Sequence, residues 1–255
     1  MLKPSNPMKI LNFFVILILI NLQLVKGQQT SQVYDFPVKP GTQEWEILSN
    51  YSDRLNAYNI PEELLNKMNT NDLLETCLNY PEFRLIMTRN SLQQGYDYLR
   101  SIFNGFRMLE KKNDAGAELL KKYKELKPAD INNYKTLVDR GEFAFKIKYI
   151  EILLSQKQII NDMDHEIRKE LLRTSILNYE TILKMPEDYS SFGLVTPALV
   201  LGRLLDAVGH QNFIEEKIKD NNLQMFINDA SVGEVTTLSY ILATSKAYLN
   251  QLDNE

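Results

Sequence analysis

The chain carries one cysteine, Cys77, and two histidines, His165 and His210. A lone thiol closes no intramolecular disulfide, and two histidines far apart in sequence are little material for a zinc site. No metal and no cofactor are therefore assigned. Glycine is scarce as well, ten in 255 residues, and each stands singly. Asn-Gly or Asp-Gly turns between alternating strands are missing, since Asn104-Gly105 sits inside a helical pattern, and this excludes a hairpin-rich β fold. There is no basic surplus either: 29 Lys and Arg face 33 Asp and Glu, for a formal charge of −4. An acidic surface repels phosphate backbones, so nucleic acid is not an expected partner.

What remains is an ordinary globular composition, 44% hydrophobic and 24% charged. It is preceded by an address. Lys3 and Lys9 come with no acid, and an apolar stretch over 10–25 follows, unbroken from 13 to 20. These are the n-region and h-region of a signal peptide. Asn12, Asn21 and Gln23 cut the stretch short of the roughly 20 apolar residues that a spanning helix needs. Val25-Lys26-Gly27 offers small residues for cleavage, so residues 1–27 are expected to be removed. Export to the periplasm, the cell surface or the medium follows, with no stable membrane insertion after cleavage. Taking three lysines from a formal charge of −4 leaves −7.

Residues 28–41 hold two prolines and no helical period, and read as an extended N-terminal arm. Everything from 42 to 255 reads as one all-α domain. Asp164 precedes a stripe of Ile167, Leu171, Leu172, Ile176, Tyr179, Ile182 and Leu183 that Met185-Pro186 closes. Thr196-Pro197 predicts an N-cap with proline at the first helical position, and Gly209 predicts the end of that helix. A single stripe predicts a helix over 234–252, while apolar residues on several faces over 142–160 predict a central one. Shorter helices are expected over 43–57, 61–68, 71–80, 82–90, 92–112 and 115–126. The total is about ten or eleven helices, in a compact helical array or an irregular HEAT-like stack without a fixed repeat.

Several short segments taken together carry a likeness: Lys39-Pro40-Gly41-Thr42-Gln43-Glu44-Trp45, Ile60-Pro61-Glu62-Glu63-Leu64-Leu65, Thr76-Cys77-Leu78-Asn79-Tyr80-Pro81, Phe103-Asn104-Gly105-Phe106 and Asp114-Ala115-Gly116. As a set over residues 38–126 they resemble an uncharacterised family of exported proteins from Bacteroidetes. The resemblance implies export and transfers no catalytic role. Glu82 departs from the apolar residue that would follow the Tyr-Pro pair.

Few residues offer chemistry. Asp162, Asp164, His165 and Glu166 are the densest acidic cluster, but near-consecutive helical positions point apart, so they read as a helix start. Cys77 shares a helical face with Leu73, Leu74 and Leu78 and reads as a buried thiol. Glu142, beside Phe143 at a helix start, is the candidate general acid of an alternative function, an all-α hydrolase acting on glycan or peptidoglycan. The leading expectation is a non-enzymatic exported protein that binds a protein or peptide. Tyr96, Tyr98, Phe103 and Phe106 are its candidate contact residues, because tyrosine and phenylalanine supply contact area at little ordering cost.

Overall fold

Helix starts in this chain are specified locally. Thr42, Asn50, Asn69, Ser91, Thr136 and Asp164 all adopt extended backbone, and each side chain accepts a bond from the amide three residues on. The structure is a computed structural model that describes residues 33–254. The expected signal peptide and residues 28–32 of the expected arm lie outside the described residues.

The helices, in order, are α1 (Gln43–Ile47), α2 (Tyr51–Ala57), α3 (Glu62–Leu65), α4 (Thr70–Leu78), α5 (Leu92–Ile102), α6 (Asn104–Leu109), α7 (Ala115–Glu125), α8 (Leu137–Leu154), α9 (Lys157–Asp162), α10 (His165–Leu183), α11 (Pro186–Tyr189), α12 (Val195–Ala207), α13 (Gln211–Lys219), α14 (Asn221–Asp229) and α15 (Val235–Asn254). Three 3-10 helices, Phe83–Thr88, Pro128–Asn133 and Ser191–Leu194, join them, and no strand occurs among the described residues. The fold is all-α, a compact helical array. At its centre α12 is buried from Val195 to Leu205 and packs against α8, α10 and α15. Arg173 and Lys169 of α10 hold Asp253, tying the end of α15 in place.

Three expected helices are broken, each by a named side chain. The expected 43–57 helix stops at Ile47, because Asn50 caps a fresh start. The expected 92–112 helix breaks at Phe103. There the Asn104 side chain accepts from Ile60 N at 3.0 Å and donates to Ile60 O at 2.7 Å, turning the chain toward the α2–α3 connection. The central 142–160 helix divides after Leu154, where Ser155 Oγ and Gln156 Nε2 both donate to Ile152 O and compete with the helical ladder. Its centrality is correct, since α8 buries Phe143, Ile147, Ile150, Leu153 and Leu154.

The expected cap at Thr196 is also corrected. The helix begins at Val195, two residues before the expected Pro197, out of the 3-10 turn, and the Thr196 hydroxyl donates to Glu151 instead of capping. Pro197 still fits, because first-turn amides have no helical acceptor to lose. Gly209 ends α12 as expected, with φ +71, and the bonds His210 N to Leu205 O and Gly209 N to Asp206 O close a Schellman motif.

The described part of the arm is not free. Phe36 is buried and meets the rings of Tyr34, Tyr58, Tyr80 and Phe103, while Tyr34 N donates to Thr76 Oγ1 at 3.0 Å. Trp45 lies 5.3 Å from the Tyr58 ring, Tyr80 stacks on Phe103 at 4.5 Å, and Gly116 leaves room for Met163.

Candidate functional site

One face of the domain leaves apolar side chains in solvent. The 3-10 helix Phe83–Thr88, the start of α8, the turn before α12 and the loop from α14 to α15 meet there. Ser190 and Ala230, in the turns that lead to this face, both take positive φ. A cavity of about 540 Å³ runs between Met87, Phe192, Val232 and Val235, and a second of about 380 Å³ lies between Met87, Leu137, Val138 and Phe145. Met87 lines both. Leu137 is 88% exposed, Val138 70% and Val235 66%, values that a core-forming residue does not show.

Cations sit on the aromatic rims. Lys148 Nζ lies 5.5 Å from the Phe145 ring centre and 5.0 Å from that of Phe192, so it stands between one ring of each cavity. The Arg84 guanidinium is over Phe145 at 6.0 Å, and that of Arg89 over Tyr98 at 3.8 Å. Burial pushes the Lys148 ammonium below its ordinary pKa, opposed by the charge of Glu151.

Glu142 lines the second cavity as an exposed side chain, and no other acid lines that cavity. A glycosidase pair needs a second carboxyl facing the first; the cavity around Glu142 does not supply one.

The expected contact residues are mostly elsewhere. Tyr96, Phe103 and Phe106 are core residues with at most 2% exposure, which corrects their assignment to a surface groove. Phe103 and Phe106 meet edge to face at 5.4 Å inside the aromatic knot, and the Tyr96 hydroxyl donates to Glu110 at 2.8 Å. The reason is the break at Asn104, which turns both phenylalanines inward. Tyr98 alone is half-buried, and it supports Arg89 at the edge of the apolar face.

Behind that face lies a group the residue pattern does not flag as functional. Glu151 has no exposed surface; its carboxyl accepts from the Tyr123 hydroxyl of α7 at 2.6 Å and from Thr196 of α12. Burial raises its pKa to about 7, with the two hydroxyl bonds and Lys148 pulling the other way. Ser175 and Asn178 of α10 are buried beside Tyr123, and both oppose the rise that burial gives its hydroxyl pKa. The one sequence signal was an acid amid apolar residues, Tyr149-Ile150-Glu151-Ile152, on a helix buried on several faces.

The remaining candidates have structural roles. Asp164 caps α10, Asp162 accepts from Gln158, and among the described residues no three His, Cys, Asp or Glu converge. His210 Nδ1 accepts from Phe213 N, and its ring meets Tyr248 edge-on at 5.3 Å. Cys77 is fully buried, which pushes its thiol well up in pKa. A polar cleft of about 330 Å³ near Arg100 carries bonds between its own walls, Arg100 donating to Glu110 at 2.6 Å and Gln93 to Asp97 at 2.9 Å.

No family model, curated protein or solved structure matches this chain. Among the described residues no single helix is long and apolar enough to cross a membrane.

Proposed function

We propose that the chain is an exported, non-enzymatic helical protein that binds a protein or peptide partner on the face around Met87. The exposed apolar run from Leu137 and Val138 through Met87 to Val235 carries this reading. Contiguous apolar surface of this kind, rimmed by aromatic and charged side chains, marks an interaction site in a folded domain. Phe145 and Phe192 bring contact area, and the flexible Met87 between the cavities adapts to an incoming side chain.

Export rests on the lysine-flanked apolar stretch before residue 28 and agrees with the family likeness over 38–126. After cleavage at Gly27 the domain works outside the bilayer. Mass measurement of the exported form is expected to show a chain beginning at or near Gln28.

The binding reading is tested by affinity capture from envelope material with the cleaved protein and with Val235→Asp. Position 235 is the first residue of α15, where an aspartate suits the helix dipole, so the variant keeps its fold. A polypeptide retained by the parent and released by the variant is the expected result. Equal retention by both proteins removes the face from the reading.

A further inference from the structure

The cations of the apolar face share one arrangement. Arg84, Arg89 and Lys148 make no ion pair with a carboxylate among the described residues; each rests on an aromatic ring instead. Elsewhere on the surface several lysines and arginines do pair with acids, as Lys124 with Glu170 at 2.7 Å and Lys246 with Glu180 at 2.6 Å. Among the residues lining the two cavities, Glu142 is the only acid. The acidic chain thus sets Arg84, Arg89 and Lys148 around this apolar face, and of the three Lys148 alone feels a nearby carboxylate charge, that of the buried Glu151. Apolar walls strengthen any charge pair formed there, and a guanidinium over a ring, as that of Arg89 is over Tyr98 at 3.8 Å, can still offer N–H groups to a carboxylate.

We propose that the partner's docking segment is an acidic amphipathic helix or strand of a protein, with apolar side chains that enter the two cavities and carboxylates that pair with Arg84, Arg89 and Lys148. The proposal rests on the reading of this face as the partner-binding surface, and adds the chemistry of the partner. An anionic bilayer offers the same charge but must approach the whole molecule. The formal charge of −4, and −7 after loss of residues 1–27, opposes that approach. A single segment brings its carboxylates only within reach of the three cations.

The test uses three fluorescent amphipathic peptides that share one leucine stripe and carry Glu, Gln or Lys at the remaining positions. Binding is measured to the cleaved protein, to Val235→Asp and to the double variant Arg84→Glu with Arg89→Glu. Both arginines are exposed, so the double variant is expected to keep its helical circular dichroism. The Glu peptide should bind the parent about tenfold more tightly than the Gln peptide, with the advantage shrinking as salt rises. The double variant should prefer the Lys peptide, and Lys148→Met should lose part of the preference without reversing it. Equal affinity for the Glu and Gln peptides overturns the acidic partner and leaves the docking face standing. If no peptide binds the parent, or Val235→Asp binds the Glu peptide as well as the parent does, the docking face fails and the proposal with it. Sedimentation of the protein with phosphatidylglycerol vesicles through Arg84 and Arg89, without peptide binding, assigns the cations to a membrane surface and overturns the proposal.

Discussion

The Tyr123 hydroxyl donates to the Glu151 carboxyl at 2.6 Å where neither side chain has more than 1% of its surface in solvent. This bond and that of Thr196 join α7, α8 and α12 through one ionisable group, faced also by Lys148 on its own helix and by the more distant Tyr189. In an unfolded chain Glu151 loses its proton near pH 4.5; in the fold it does so at about 7. Between those values the folded state holds a proton that the unfolded state has released, so stability falls as pH rises through the window and levels off above it. The ionised form carries a penalty on the order of 3 kcal/mol. Glu151→Gln removes the titration. Its melting temperature relative to the parent should rise from pH 5 to pH 8, and parallel curves for the two proteins would contradict the assignment.

Arg203 is the buried cation of the core, with its pKa pushed down to about 10 by burial. It donates to Ile227 O at 2.9 Å, Asn228 O at 3.0 Å and Ser155 O at 3.1 Å. These are carbonyls at the ends of α14 and α8 that have no helical donor left. Arg203→Met strands all three and should cost about 3 kcal/mol, measured by urea unfolding. Arg203→Lys should recover only part of that, because an ammonium cannot span carbonyls that a planar fork reaches together.

Much of the frame was legible from punctuation. Asp164, Pro186 and Gly209 act at the positions the pattern implied, and the stripe of α15 is where its period placed it. The break at Asn104 was not legible, because it depends on a partner remote in sequence, Ile60, whereas those at Asn50 and Ser155 come from short-range side-chain bonds that the helical period does not register. The site fared worse for the same reason. Aromatics around Asn104-Gly105 have the composition of a groove, and only tertiary contacts reveal that they face inward. Met87, Phe192 and Val232 sit in 3-10 turns and loops, where no period announces an apolar face. Glu142 was found beside that face by its neighbours Phe143 and Phe145, but the acid it would need as a partner does not line its cavity.

Phe36 anchors the described part of the arm. Its φ of +28 is a conformation that phenylalanine holds only where surrounding contacts determine it, and four rings surround it. Phe36→Ala should cost about 3 kcal/mol. It should also expose the 33–41 segment to limited proteolysis before the helical domain unfolds. Cleavage no faster than in the parent would show that Tyr34 and its bond to Thr76 hold the arm alone.

Asn104 gives the sharpest test of how the chain turns between α5 and α6. Its amide nitrogen donates to Ile60 O at 2.7 Å and its amide oxygen accepts from Ile60 N at 3.0 Å, so the side chain reads both backbone groups of one residue. Asn59 reciprocates, its side-chain oxygen accepting from Asn104 N at 2.8 Å. Asn104→Asp keeps the shape and removes the donor, setting a carboxylate against the Ile60 carbonyl. At neutral pH this should cost about 2 kcal/mol, the penalty of a lost bond with its acceptor left facing like charge. Once protonated, the introduced carboxyl regains a hydroxyl that can donate to Ile60 O, so the fold favours the protonated acid and raises its pKa above the unfolded value. The variant should therefore recover stability relative to the parent as pH falls through that raised pKa, which Asn104→Ala, lacking any proton to regain, should not do. Urea unfolding of the three proteins at pH 7 and pH 4 separates these outcomes. A deficit of Asn104→Asp that stays constant with pH would place the cost in the backbone turn and not in the bond to Ile60.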